Sequence, residues 1–484
     1  MLAYKCKKCN NYFIYEEEKL KKIVTIAVLA GFMTVNFAPA FAVEDVVRAS
    51  ATPKHYKSLV KKKKKVTDEY KYAYINMDWW KNFNDENLNS YITKAIQNNY
   101  DLKMATLAVE EYYQMTRIQF ANELPTLNAG YSPNIVKMPG KTSTEGAFAA
   151  PAFVNYEIDI FLKNRDKTRS TKKAWEGSKL DERGAYIAVA SAVGVTYLNI
   201  VKLDKIIALQ EEIVKDRKEI YDLMLMRNHE GITSTSDTVK ANKAYVAGNT
   251  DLIELQKQRE KLLHQLCVLI GESPENAESI IRSSLDDINF SGVIPNEISS
   301  EAIVQRPDYL KAEKMVEKAG IDVRVARKEF LPSISLTGLA LFNSSQFGSL
   351  FSTKGMLAAL GGSIMYPFFT GGSRFANLRL RKAQYERILQ NYYKTNLTAI
   401  QEVNDSLVSI NKDTQKMEET QKQAELEAKD FGYNQNRYDE GIISKLDLIQ
   451  VKENLLTIDK LVAINKVDCM VDYIGLYKSV GSKL

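Results

Sequence analysis

Proline is absent from this chain between Pro151 and Pro274, and again from Pro367 to Leu484. A proline inside a helix costs about 3 kcal/mol, so two such gaps permit helices far longer than usual. The apolar spacing turns permission into expectation. Tyr186, Ala190, Val193, Tyr197, Ile200 and Ile207 follow a four-three rhythm with one polar skip at Asp204. Leu389, Tyr393, Ile400, Val403, Leu407 and Ile410 do the same, with Asn396 as the skip. This is the narrow seam of coiled-coil packing. A helix from Arg165 to Asn228 would run ~95 Å at 1.5 Å per residue. The seam alone fits a coiled-coil rod equally well.

The chain also repeats itself. Asp101, Ala105 and Leu124-Pro125 recur as Asp308, Ala312 and Leu331-Pro332. After a three-residue insertion, Val193, Ile200, Arg227, Glu230-Gly231-Ile232, Ser234 and Asp237 recur as Val403, Ile410, Arg437, Glu440-Gly441-Ile442, Ser444 and Asp447. A period of roughly 210 residues is a duplicated half, not a solenoid unit. Each half reads helix, two strands, long helix, tight turn, long helix. The expected division is 1–42 leader, 43–76 lysine-rich arm, 77–290 first repeat and 291–484 second repeat.

Each Leu-Pro stops a helix and pushes the preceding residue toward extended geometry. Leu127, Ala129 and Tyr131 then alternate with Thr126, Asn128, Gly130 and Ser132, as Ile334, Leu336 and Ala340 do with Ser333, Ser335 and Thr337. Val154, Tyr156, Ile158 and Ile160 alternate with Asn155, Glu157 and Asp159. Leu360, Ile364, Tyr366 and Phe368 complete the set, opposed by Gly361 and Ser363. One apolar and one polar face make a half-buried strand, in a soluble sheet or in a barrel between lipid and water. Four strands per chain cannot close a membrane barrel, whose smallest form has about eight. An open edge in lipid leaves backbone groups unpaired at several kcal/mol each. If these strands lie in a membrane, chains must share the barrel, and three chains supply twelve strands.

The first residues read as an address. Lys19, Lys21 and Lys22 precede an apolar run from Ile23 to Phe37, followed by Ala38-Pro39-Ala40-Phe41-Ala42. That reads as a secretory signal with cleavage expected after about Ala42 and no lipobox cysteine behind it, the alternative being an uncleaved anchor. Its apolar run of about 15 residues is short of a spanning helix. Cys6 and Cys9 are half a zinc ribbon at best, and residues 1–20 fit poorly before a signal; translation is expected to start near Leu20. Lys61 to Lys65 read as a solvated arm or as a contact to anionic lipid or peptidoglycan. Cys267 and Cys469 sit in helical patterns as small core residues.

Composition removes other classes. A mean hydropathy of −0.29 excludes a polytopic helical membrane protein. A net charge of +6 is no nucleic-acid signature. Three histidines, His55, His229 and His264, offer no catalytic triad and no metal spacing, and no phosphate-binding loop occurs. No enzyme, cofactor or metal is expected.

At this point the sequence resembles the outer-membrane factor family, the TolC-like exit ducts of tripartite pumps, and within it the NodT-type branch. The stretches that carry the likeness begin with Trp79-Trp80-Lys81-Asn82-Phe83-Asn84-Asp85 and Tyr156-Glu157-Ile158-Asp159-Ile160-Phe161. Gln305-Arg306-Pro307-Asp308, Ala326-Arg327 and Phe330-Leu331-Pro332-Ser333-Ile334-Ser335-Leu336-Thr337-Gly338 are the most specific. Pro367-Phe368-Phe369-Thr370-Gly371-Gly372, Glu402-Val403-Asn404-Asp405 and Arg437-Tyr438-Asp439-Glu440-Gly441 complete them. The likeness runs from about Met77 to the end.

The resemblance implies an α+β membrane protein: a homotrimeric twelve-stranded β-barrel, four strands per chain, continued by a long α-helical barrel in the periplasm. It implies an outer-membrane exit duct of a tripartite efflux pump, a passive channel gated at its periplasmic end. Expected partners are a periplasmic adaptor (membrane fusion) protein, an inner-membrane pump of resistance-nodulation-division type, and outer-membrane lipid. The alternatives are a type I secretion channel and a non-channel coiled-coil surface protein.

The resemblance also places a gate. Gly231 and Gly441 suit the positive-φ position of a helix C-cap, and Ser234 and Ser444 are good N-caps. In the family, residues after the second turn ring the pore, and the matching positions are Leu446, Asp447 and Gln450. Three copies of Asp447 would raise one another's pKa. As a helix N-terminal acid, Asp447 would in any case gain about 0.3–1 kcal/mol from the macrodipole. Asp237 matches a latch residue whose usual basic partner is replaced by Ile443, leaving Lys445 as the nearest cation. Gln450 stands where relatives often carry a second Asp. Arg227, Gly231, Arg437 and Gly441 are the expected adaptor contacts.

Overall fold

The computed structural model describes residues 78–136, 145–292, 298 and 303–481. The leader, its cleavage site, Cys6 and Cys9, and the lysine arm lie outside the described residues. A short 3-10 turn, Trp79–Phe83, leads into α1 (Glu86–Asn98) and α2 (Tyr100–Ala121). Strands β1 (Thr126–Ala129), β2 (Ser132–Val136) and β3 (Glu145–Ile158) follow. Then come α3 (Lys163–His229) and α4 (Thr235–Ile270). The second half runs α5 (Pro307–Lys328), β4 (Ser333–Ser344), β5 (Met356–Met365), α6 (Ser373–Asp439) and α7 (Lys445–Val480). The duplication is visible in the lengths: α3 and α6 both have 67 residues, α4 and α7 both have 36. A 67-residue helix is ~100 Å long.

All strands form one antiparallel sheet in the order β1-β3-β4-β5, with β2 also on β3. β1 and β2 keep one register along β3, with Thr126 opposite Asn155 and Ser132 opposite Ala149. They therefore act as a single strand, and the sheet is four strands wide. Registers bring like residues onto one face. Leu127, Val154, Gly338 and Leu360 stand in a row, as do Ala129, Ala152, Ala340 and Ala358, and Ile158, Ile334 and Ile364. The other face carries Thr126, Asn155 and Thr337 in one row, then Glu157, Ser335 and Ser363. Thr337 donates to Asn155 Oδ1 at 3.1 Å, and the Ser335 and Ser363 hydroxyls share a bond of 2.8 Å. That polar mesh satisfies the side chains on a wet face; on a lipid face each would be costly.

Several residues read as strand lie outside it, among them Gly130 and Tyr131 between β1 and β2, and Asp159 after β3. Ile160 follows the end of β3 because Asp159 turns the chain: its carboxylate accepts the backbone N–H groups of Lys163 (2.6 Å) and Arg165 (2.8 Å), capping α3. Tyr366 and Phe368 follow the end of β5, where Pro367 cannot donate to a ladder.

The core lies where α1, α3, α4 and α7 meet. Val193, Tyr197, Leu266, Ile270 and Ile474 are buried there with Trp79 and Phe83. The Trp79 ring stacks on Tyr477 at 5.8 Å. Asp85 caps α1 through the N–H groups of Asn87 and Leu88, and the Tyr197 hydroxyl donates to its other oxygen at 2.8 Å. The Trp-Trp motif thus fastens the start of the first repeat to the end of the second. Arg306 makes a second fastening. Its buried guanidinium reaches Asp308 (2.7 Å) and Glu402 on α6 (2.6 Å), and donates to the Ser479 carbonyl at the end of α7. Cys267 and Cys469 are buried free thiols.

The two seams fare differently. On α3, Ala190, Val193, Tyr197, Ile200 and Ile207 are buried. On α6 only Val403 and Ile410 of the seam are buried, and Tyr393 and Ile400 are exposed. The reason is position. Helix α3 is flanked by α1, α2, α4, α5 and α7, whereas α6 packs chiefly on α5 and α7.

Candidate functional site

Helices α3 and α6 both run from the sheet to a tight turn, and the two turns are built alike. After α3, the Ile232 N–H donates to the Arg227 carbonyl at 2.8 Å and the Gly231 N–H to that of Asn228 at 2.9 Å. After α6, Ile442 donates to Arg437 at 2.8 Å and Gly441 to Tyr438 at 2.9 Å. This is the Schellman arrangement, with glycine in the left-handed region at φ +70° and +76°. Arg227 is half-buried and Arg437 exposed, and the Arg437 guanidinium rests on Asn434 Oδ1 at 3.4 Å.

Ser234 and Ser444 cap the helices that return. Each hydroxyl accepts the N–H three residues on, at 3.2 Å from Asp237 and 3.3 Å from Asp447. In the second turn the box closes: Asp447 Oδ2 accepts the Ser444 hydroxyl (2.7 Å) and the Ser444 N–H (3.1 Å). Its Oδ1 accepts no hydrogen bond among the described residues. Asp237 differs, because Oδ2 takes the Ser234 hydroxyl and Oδ1 the Lys240 ammonium at 3.2 Å. Both carboxyls are exposed and both are held below the usual aspartate range. The serine hydroxyl is the chief cause in each, helped at Asp237 by Lys240 and at Asp447 by the Ser444 N–H.

Leu446 is half-buried, Asp447 and Gln450 are exposed, and Leu448 and Ile449 are buried beneath them. Lys445 does not meet Asp237 within the chain. It pairs with Glu219 on α3, which raises the lysine pKa. This contact heads a ladder between α3 and α7. Lys452 lies 2.9 Å from Asp216, Arg217 pairs with Glu453, Lys460 donates to Gln210, and Lys202 lies 3.6 Å from Asp468. Glu219 carries no sequence signal that would mark it, since its partner is 226 positions away.

A second feature is an exposed apolar stripe on α2. Tyr100, Met104, Leu107, Met115 and Ile118 on α2 are all exposed, and α2 buries no residue. Their spacing is that of a coiled-coil stripe, with no partner among the described residues.

Residues 91–272 and 298–482 match the family described as outer membrane efflux protein. The chain is 27% identical over 417 residues to the probable efflux pump outer membrane protein TtgC of Pseudomonas putida, covering 84% of this chain and 86% of that one. It is 24% identical to the cation efflux system protein CusC of Escherichia coli K12, over 84% of this chain and 89% of that one. Its fold matches the crystal structure of the Campylobacter jejuni CmeC outer membrane channel with a TM-score of 0.77 and 26% identity, over 84% and 88% of the two chains.

Proposed function

The chain belongs to the outer membrane efflux protein family, and on that premise we propose how its parts make a duct. It is an outer-membrane exit duct of an efflux pump. In our reading the duct is a homotrimer. One observation carries this: the sheet is four strands wide, apolar across one face, and open at β1 and β5. In lipid those edges must be paired, and a copy of the same sheet has the matching edges. Three sheets close a twelve-stranded barrel with the Thr337 and Ser335 face inward. The exposed residues of the α2 and α6 stripes support the same closure, since they have no cover among the described residues.

The sealed wall would continue through the helices to the two turns, where Leu446, Asp447 and Gln450 narrow the lumen. The free Oδ1 of Asp447 supports this, because capping uses only the other oxygen. Lys445 with Glu219 serves as the latch in place of a contact to Asp237. The turns around Arg227, Gly231, Arg437 and Gly441 dock the periplasmic adaptor, and a resistance-nodulation-division pump supplies the cargo. Export through a signal cleaved near Ala42 brings the chain to its membrane.

Paired cysteines test the closure. Asn128→Cys on β1 and Gly361→Cys on β5 lie on opposite edges of one sheet. Oxidation should give covalent dimers and trimers in outer-membrane fractions. Monomers alone, with each sheet packed on its own helices, would end the reading.

A further inference from the structure

The connection between β4 and β5, residues 345–355, does not project from the sheet but folds back over it. Phe347 meets Tyr131 and Phe148 edge-on at 6.1 and 5.9 Å, and Phe351 meets Phe342 at 5.5 Å. Tyr131, Phe148 and Phe342 all belong to the apolar face, by register with Ala150 and Ala152. The loop therefore lies on the side that faces lipid in the barrel, not over the polar side where it would plug the lumen. Leu350 is fully buried beneath it, yet Phe347 and Phe351 remain 63% and 70% exposed. Between loop and sheet runs an apolar crevice of about 400 Å³, lined by Ala129, Ala152, Phe342, Phe347 and Phe351 among others. Three residues beyond Phe351 stands Lys354, exposed, the one cation among the described strand residues and this loop.

We propose that this loop and the sheet beneath it form a binding site for an anionic membrane lipid, with an acyl chain in the crevice and Lys354 on the headgroup phosphate. The inference rests on the barrel reading above. Two things fix the occupant. The crevice is continuous with the lipid-facing rows of the sheet, so hydrocarbon reaches it without crossing water. Lys354, in the same loop and three residues beyond Phe351 of the crevice wall, supplies a cation that complements a phosphate above an acyl chain. The loop is at the end of the strands remote from the helices, which puts the site in the outer leaflet.

The full chain in vesicles provides the test, using tryptophan quenching by brominated lipids. Phe347→Trp should be quenched about fivefold more effectively by brominated phosphatidylglycerol than by brominated phosphatidylcholine, the preference one lysine gives near an anionic surface. Lys354→Glu should abolish that preference while the protein stays folded. Phe351→Trp gives the same reading should the first substitution disturb its ring contacts. Leu360→Trp, on the open lipid face, should be quenched equally by both lipids. Loop tryptophans left unquenched while Leu360→Trp is quenched would overturn the site, as would equal quenching of the loop by the two lipids. Relief by added inorganic phosphate would assign Lys354 to a free anion and also overturn it. An unquenched Leu360→Trp would instead sink the barrel, and the site with it.

Discussion

Lys445, in the first turn of α7, donates to the carboxylate of Glu219 on α3 and so ties the tip of the second helical hairpin to the long helix of the first. The two residues stand 226 positions apart. Below them the polar ladder of Asp216, Arg217, Lys452 and Glu453 continues the same seam. The charge pair at the tip is half-exposed, whereas the root of the hairpin is held by buried apolar contacts.

Reversing one charge should release that tip. Lys445→Glu sets two carboxylates against each other and is expected to raise single-channel conductance in planar bilayers. Adding Glu219→Lys should restore the parent value. Equal conductance in all three proteins would remove this pair from the gate.

Asp447 separates capping from charge. Asp447→Asn keeps an acceptor for the Ser444 hydroxyl but removes the anion, whereas Asp447→Ala loses both. Block of the channel by divalent cations should weaken in both variants. Only the alanine should also fray the start of α7, seen as faster amide exchange over 444–449.

The uncovered stripe on α2 makes an assembly prediction. Leu107 is 63% exposed in the single chain. Leu107→Glu should leave the chain's helix content intact and reduce the trimer fraction in light scattering. Burying such a side chain contributes about 1.5–3 kcal/mol per copy, which a charge there forfeits.

Asp472 on α7 is the group with a pH signature. Burial lifts its pKa to about 7, with Asp413 on α6 and Asp468 adding to the shift. An aspartate raised above its unfolded value weakens the fold as pH rises from about 4 through 7, because the native state must then give up a proton it holds more tightly. After allowing for partial exposure the loss is about 1–2 kcal/mol. Thermal unfolding should therefore fall in midpoint across that window. Asp472→Asn should flatten the profile and raise the midpoint at pH 7.5.

Arg306 tests the fastening of the second repeat. Arg306→Ala removes charge-assisted hydrogen bonds to Asp308, Glu402 and the Ser479 carbonyl. Each is worth about 1.5–3 kcal/mol. The two carboxylates are half-exposed and can rehydrate, so the expected cost is about 2–4 kcal/mol in all. Urea unfolding of the detergent-solubilised protein measures it. Arg306→Lys should recover only part, since an ammonium lacks the fork that reaches three acceptors.

Periodicity, prolines and glycines determined the local fold. The four-three seams and proline gaps placed α3 and α6 to within two residues at each end of α3, because an apolar stripe at helical spacing has no other stable use. Glycine at 231 and 441 fixed the turns, since only a residue without Cβ takes those angles cheaply. The strand faces followed from alternation. Local signals could not fix where the alternation stopped, because the Asp159 carboxylate bonds across to α3 and overrides it. Nor could they pair Lys445 with Glu219, or show that the α3 seam is covered while its α6 copy is covered only in part. Those facts depend on which helices lie beside which, and packing between residues hundreds of positions apart is set by the whole chain's burial, not by any window of its sequence. The loop over the lipid face belongs to the same class: its aromatic residues could be read, but only the folded sheet decides which face they cover.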